Sequence, residues 1–207
     1  MNREITIVNC GMGNIGSIEN MLAKMGLKSN ITDNVDLVNS ANVLILPGVG
    51  SFDSMMKRLK ETGLDEAIKD TVNSGAKLIG ICLGAEVLLN SSEEGTLAGL
   101  GLISGSCKNL VTALQGRTER VPHVGWGNLK QARNSTFLYS DYTNHRVYFS
   151  HSYFLDVDNK EHIKFFVNYG IEIPAVIERG NIVGLQFHPE RSNKTGLSIL
   201  AEIVESA

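Results

Sequence analysis

Three cysteines in 207 residues make an odd count, and Cys10, Cys82 and Cys107 stand at no metal-ligand spacing, so neither a disulfide framework nor a zinc site is expected. Proline is scarce, at four residues, and no stretch of the chain reads as an interdomain linker. Long apolar runs are missing too. The longest, around Leu78 to Leu89, contains Glu86 and falls short of the ~20 residues a membrane-spanning helix needs. Neither sign of charge dominates: the formal net charge is -3 and no lysine or arginine stripe forms, which disfavours a nucleic-acid partner. Met1-Asn2-Arg3-Glu4 passes directly into apolar Ile5-Thr6-Ile7-Val8, without the charged-then-apolar pattern of an export signal. The expectation is a soluble cytoplasmic protein with no membrane association, in a reducing compartment that keeps its thiols free. With 43% hydrophobic residues, the chain suits a single compact domain over residues 1–207.

What is present is an alternation of strand and helix signals. A strand from Glu4 to Cys10 precedes a helix whose buried side would hold Ile15, Ile18, Met21, Leu22 and Met25, ending at Gly26. A short strand near Lys28 to Thr32 follows. Val43-Leu44-Ile45-Leu46 is continuously apolar, the pattern of a parallel strand covered on both faces, and it ends at the turn Pro47-Gly48-Val49-Gly50. Helices are predicted over Ser54 to Lys60 and Leu64 to Asn73, then a strand over Lys77 to Ile81. Beyond about Gly101 the pattern changes to short strands: Arg146 to Leu155, Phe165 to Tyr169, Ala175 to Glu178 and Ile182 to Leu185. A helix from Lys194 to Val204 closes the chain on Leu197, Leu200, Ile203 and Val204. The fold class expected is α/β: an open, mostly parallel sheet flanked by helices, with a mixed or antiparallel C-terminal extension. In such sheets ligands bind beyond the strand C-termini, where Val49, Cys82 and His188 all fall.

The chemistry centres on Gly80-Ile81-Cys82-Leu83-Gly84, directly after Lys77-Leu78-Ile79. A glycine-flanked residue at a strand-to-helix bend is a nucleophile elbow: the turn is sharp enough that only hydrogen side chains fit beside it, and it exposes the central side chain. A helix continuing through Ala85, Glu86, Val87, Leu88 and Leu89 would favour the thiolate of Cys82 through its N-terminal dipole. An inert buried thiol is the plainer alternative. Downstream, the strand Ile182 to Leu185 runs into Gln186-Phe187-His188-Pro189-Glu190, so a base and a carboxylate emerge together at a strand end, on a segment stiffened by Pro189. Cys82 as nucleophile, His188 as proton carrier and Glu190 as the group orienting the imidazole form a Cys-His-acid set.

A second motif competes. Gly11-Met12-Gly13-Asn14-Ile15-Gly16 fits G-x-G-x-x-G between a strand and a helix, and Asp33 lies near the end of the next strand, where a ribose-binding acid belongs. No third βα unit follows in register, and the loop has no hydride-transfer partners nearby.

Gly80-Ile81-Cys82-Leu83-Gly84, His188-Pro189-Glu190 and Pro47-Gly48-Val49-Gly50 together resemble the three signatures of class I, triad-type glutamine amidotransferases. Asn9-Cys10-Gly11-Met12-Gly13-Asn14, Pro47 to Phe52, Val121 to Trp126 and Tyr148 to Tyr153 further resemble the glutaminase subunits of imidazole glycerol phosphate synthase. The resemblance implies an enzyme without cofactor or metal. It would hydrolyse L-glutamine and pass the ammonia to a (β/α)8-barrel cyclase partner, with which it would form a heterodimer, in histidine biosynthesis. The oxyanion donors would be the N–H of Leu83, one residue past the nucleophile, and a peptide of the Val49–Gly50 turn that flips when the partner docks. Ser152 and Tyr153 would meet the α-amino and carboxylate ends of glutamine. Asn14, His123, Trp126, Tyr148 and Arg191 match interface positions. One departure stands out: where these subunits usually read Gly-Met-Gln, this chain reads Gly84-Ala85-Glu86. Glu86 beside a substrate ammonium would attract, and beside a carboxylate repel. The departure also opens an alternative in which a paralogous glutaminase supplies ammonia to amidate a surface-polysaccharide sugar.

Overall fold

The computed structural model describes residues 5–206. In chain order its strands and helices are β1 (Ile5–Val8), α1 (Ile15–Lys24), β2 (Ser29–Thr32), α2 (Val35–Asn39), β3 (Val43–Gly48), α3 (Phe52–Thr62), α4 (Leu64–Asn73), β4 (Lys77–Cys82) and α5 (Leu83–Glu86). There follow β5 (Ser91–Ser92), β6 (Gly105–Asn109), α6 (Leu110–Ala113), β7 (His123–Gln131), β8 (Arg146–His151), β9 (Tyr153–Val157), β10 (Ile163–Tyr169), β11 (Ile171–Arg179), β12 (Ile182–Leu185) and α7 (Asn193–Glu205).

One nine-stranded sheet, in the order β2-β1-β3-β4-β12-β11-β10-β7-β8, forms the frame. Its first five strands are parallel and the remaining pairings antiparallel, which is the expected sheet with its antiparallel extension. Alternation along the parallel strands divides the core in two. Ile5, Ile7, Val43, Ile45, Ile79 and Ile81 pack toward α1 and α7. Val8, Leu44, Leu46 and Leu78 pack toward α3 and α4, through Phe52, Met55, Leu59, Leu64, Ile68 and Val72. Helices on both faces explain why Val43 to Leu46 of β3 reads as an unbroken apolar run and why every residue of β3 and β4 is buried. Register brings three strand ends level: Gly48 pairs with Cys82, and Leu185 with Ile81. Among the described residues no helix is long and apolar enough to cross a membrane.

Three expectations change. The helix after Cys82 stops at Glu86 instead of running to Leu89, because the carbonyls of Val87, Leu88 and Leu89 accept from Leu100, Leu102, Ile103 and Gly101 rather than from a next helical turn. The strand expected over Arg146 to Leu155 is two strands in two sheets: β8 edges the large sheet, while β9 pairs with β6 in a three-stranded sheet. The break lies at Ser152, whose carbonyl accepts from Leu110. The dinucleotide reading needs β3 outside β2 and β1 beside a later strand, whereas here β1 lies between β2 and β3. Gly13 has a packing explanation instead: a Cβ there (φ 140°) would sit 3.3 Å from Pro47, so the first loop abuts the β3 turn, while Gly11 and Gly16 have open space around them.

Candidate active site

The elbow forms as its sequence requires. Cys82 has φ 53° and ψ −112°, an L-residue in positive-φ space, which costs energy that the surroundings must over-determine. They do so by close approach: a Cβ on Gly84 would lie 1.8 Å from the Leu46 carbonyl oxygen, and one on Gly80 2.6 Å from that of Gly84. The helix therefore starts pressed against β3 and β4, with no room for side chains on either side of the bend. The Cys82 thiol donates to the Ser150 carbonyl at 3.8 Å. Burial, then the charge of Glu86, raises its pKa well above the ordinary value, opposed by the Leu83 N–H, with Glu190 adding to the rise. The expected thiolate is thus not the resting form. A helix of one turn, Leu83–Glu86, supplies little dipole, and desolvation wins.

His188 leaves the end of β12 through buried Gln186 and Phe187. Its N–H donates to the Tyr148 carbonyl at 2.9 Å, and the Ser192 hydroxyl donates to the His188 carbonyl at 2.6 Å while accepting from the Tyr148 N–H at 2.9 Å. A 3-10 turn over Pro189–Arg191 then brings Glu190 back. Glu190 Oε1 accepts from His188 Nδ1 at 2.9 Å, with the two side chains only 7% and 2% exposed. A carboxylate can only accept, so Nδ1 carries the hydrogen and Nε2 is left as the proton acceptor.

Cys82 and His188 line one cavity of about 320 Å³, together with Val49, Gly50, Leu83, Glu86, Ser152, Tyr153 and Arg191. All the residues assigned from sequence to nucleophile, base, oxyanion and substrate roles therefore meet in one place, with Glu190 behind His188 rather than in the wall. Ala85, by contrast, is fully buried and packs with the α3–α4 side of the core rather than lining the cavity. Sequence reasoning missed Glu94, Pro122, Ser150 and His151, which also line it. Glu94 accepts from the Phe52 N–H at 2.7 Å, so it ties the start of α3 to the cavity. No spacing signal marks it, because the contact spans distant segments.

Glu86 is 5% exposed. Gln186 Oε1 accepts from the Leu155 N–H at 3.2 Å, which orients the amide so that Nε2 donates to Glu86 Oε1 at 3.0 Å. Burial pushes the Glu86 pKa up to about 8, with the Gln186 hydrogen bond opposing and the Glu94 charge adding. Glu86 is therefore a neutral acid at pH 7, and neither the attraction nor the repulsion expected of a charged Glu86 applies there.

The candidate interface residues separate. His123 is buried, stacked between Tyr169 (centroids 3.8 Å) and Phe149 (4.7 Å), so it is not available as a docking side chain. Its Nδ1 lies 3.1 Å from His151 Nε2, and His151 Nδ1 lies 2.8 Å from the Tyr153 carbonyl. That carbonyl must accept, so His151 carries its hydrogen on Nδ1, and His123 donates from its own Nδ1 to His151 Nε2. Burial lowers their pKa values to about 4 for His123 and about 3 for His151, keeping both neutral. Asn14 and Arg191 are exposed, Tyr148 is half-buried, and Trp126 is 41% exposed beside Val124 at 55%. The Arg191 guanidinium lies 5.2 Å over the Tyr148 ring, and Trp126 meets that ring edge-on at 5.8 Å.

Among the described residues no group of three or more histidine, cysteine or acidic side chains could hold a metal ion. Residues 6–205 match the family described as Glutamine amidotransferase class-I. The chain is 42% identical over 98% of its length to imidazole glycerol phosphate synthase subunit HisH 2 of Methanococcus maripaludis, all of which is covered. It is also 42% identical to subunit HisH of a Geobacillus species, over 97% of each chain. A solved structure of a glutamine amidotransferase from Thermotoga maritima superposes with TM-score 0.69 over 99% of this chain and 97% of that one, at 14% identity, a likeness of fold.

Proposed function

The chain belongs to the class-I glutamine amidotransferase family, and from that premise we propose that it is the glutaminase subunit of an imidazole glycerol phosphate synthase. It hydrolyses L-glutamine to glutamate and ammonia in the cytoplasm and passes the ammonia to a (β/α)8-barrel cyclase partner in histidine biosynthesis. The observation that carries the reading is a strained, glycine-locked Cys82 sharing a cavity with a histidine whose tautomer Glu190 sets.

His188 Nε2 takes the Cys82 proton as sulfur attacks the side-chain amide carbon of glutamine. The oxyanion is met by the Leu83 N–H and by a peptide of the Val49–Gly50 turn; Gly50, at φ 116°, permits that turn to reorient. The C–N bond breaks as His188 returns the proton to the nitrogen, and ammonia leaves. Water, deprotonated by His188, then attacks the thioester; glutamate departs and the thiol is restored. Because the resting thiol is protonated, proton transfer and attack must be concerted or substrate-triggered, and the chain alone should turn over slowly. Ser152 and Tyr153 hold the α-amino acid end of the substrate. Asn14, Trp126, Tyr148 and Arg191 dock the cyclase.

Replacing Cys82 with alanine is expected to abolish glutamine hydrolysis in the assembled complex; retained turnover would sink the assignment. Growth of a histidine auxotroph carrying the chain and its partner gene tests the pathway. Glutaminase activity without complementation would point to the sugar-amidating alternative.

A further inference from the structure

Two buried histidines at the site have no part in the proposed chemistry. His123 opens β7 and His151 closes β8, where the two are cross-strand partners, 3% and 5% exposed. His151 also lines the cavity that holds Cys82 and His188. Both of its ring nitrogens are occupied: Nδ1 donates to the Tyr153 carbonyl at 2.8 Å, and Nε2 accepts from His123 Nδ1 at 3.1 Å. Neither is free to exchange a proton with a substrate, so His151 is not a second base beside His188.

Those two bonds bear on the shape of the cavity wall. β8 ends at His151 and β9 begins at Tyr153, in different sheets, and Ser152 alone lies between them. The Ser152 carbonyl accepts from the Leu110 N–H at 2.9 Å. The His151 ring ties the strand end before this bend to the carbonyl after it, and Ser152 and Tyr153, on the bend, line the cavity. His123 fixes the ring in turn. Its own ring is stacked between Tyr169 and Phe149, so packing aims its Nδ1 hydrogen. A donor there admits only the His151 tautomer with hydrogen on Nδ1, which is the one the Tyr153 carbonyl requires. With the hydrogen on Nε2 instead, the Nδ1 lone pair would face the carbonyl oxygen, and the bond across the bend would be lost.

We infer that His123 and His151 are positioning residues for the substrate: a hydrogen-bond relay from His123 through His151 to the Tyr153 carbonyl sets the Ser152–Tyr153 bend in the shape that receives the α-amino acid end of glutamine. The role rests on the glutaminase reading. Both residues act through the bend and neither moves a proton, so their loss weakens the grip on glutamine and leaves the chemical step.

The test separates the hydrogen bond from the stack. His123→Phe keeps an aromatic ring between Tyr169 and Phe149 and deletes the donor; His123→Asn keeps a donor near the place of Nδ1 and deletes the ring. In the assembled complex, His123→Phe is expected to raise the glutamine KM about tenfold with kcat within about twofold, and His123→Asn to raise it by no more than about threefold. Tm should run the other way, falling further in His123→Asn, which loses the stacking contacts. At the second ring, His151→Asn keeps a donor for the Tyr153 carbonyl and should hold KM nearer the parent than His151→Leu; this pair decides if His123→Asn does not fold. A KM that follows Tm across the variants would make the rings structural and overturn the inference. So would an unchanged KM in His123→Phe, and so would a fall in kcat at constant KM, which would put His151 among the proton carriers. Imidazole ¹⁵N spectra of the full chain check the relay without turnover: both rings are expected to carry hydrogen on Nδ1, and hydrogen on His151 Nε2 in the parent would overturn the inference whatever the kinetics. Absence of glutamine hydrolysis by the parent complex in any condition would overturn the proposed function and this role with it, while the spectra would still show whether the relay forms.

Discussion

Glu86→Gln is the substitution for which the structure works out a sign and a size. The unfolded chain releases the Glu86 proton near 4.5, the folded chain near 8. Between those values folding takes up a proton, so stability falls as pH rises; below them both states are protonated, and above them the penalty is complete. Each pH unit within the window costs about 1.4 kcal/mol, so at pH 7 the neutralisation of Glu86 costs on the order of 3 kcal/mol. Glutamine keeps the geometry: its carbonyl oxygen accepts from Gln186 Nε2, as Glu86 Oε1 does at 3.0 Å, and no charge needs to be quenched. The variant is therefore expected to gain about 3 kcal/mol at pH 7, or very roughly 10 °C in Tm for a chain of this size, and little near pH 4.5. Thermal unfolding scanned across that pH range measures both. An equal gain at every pH would mean packing rather than ionisation, and a loss at pH 7 would refute the reasoning. Since the Glu86 charge also raises the Cys82 pKa, the variant should hold glutamine turnover to higher pH than the parent.

Gly84→Ala places a methyl group 1.8 Å from the Leu46 carbonyl oxygen, and should cost at least ~2 kcal/mol in urea unfolding together with most of the glutaminase activity; a change under ~0.5 kcal/mol would refute the close-approach account. Glu190→Gln keeps an acceptor for His188 Nδ1 but loses the charge that steadies the imidazolium, so kcat should fall by roughly 10²–10⁴ with the fold intact, and an unchanged kcat would remove Glu190 from the mechanism. His123 and His151 should show no imidazole titration by NMR from about pH 5 to 8, because folding holds both neutral and their protonation is linked to acid unfolding; a midpoint near 6.5 for either would contradict the assigned tautomers.

The parallel half of the fold was legible because its signals are local. Val43 to Leu46 read as a doubly covered strand and Lys77 to Ile81 as the strand leading into Cys82, and the period of α1 and α7 marked their buried faces. The antiparallel half was harder. Strand β7, which alternates buried and exposed residues across two flanking glycines, was not recognised, and the Ser152 break was invisible because its cause, the Leu110 N–H, lies far away in sequence. The grouping of the proposed triad was legible for a different reason: the bend at Cys82 needs glycines on both sides, and His188 and Glu190, which meet through one hydrogen bond, lie two residues apart. His123 misled because a histidine between apolar neighbours carries no sign of whether its ring is stacked inside or presented outside.

The sequence by itself determined which residues meet: glycine spacing, strand-end position and a His-Pro-Glu turn are short-range constraints that survive without knowledge of the fold. Only the tertiary structure decided their charge states. Desolvation, the placing of Gln186 and Glu94 about Glu86, and that of Glu86 near Cys82 depend on segments up to about a hundred residues apart. Those contacts turn an expected thiolate into a thiol and an expected anion into a neutral acid.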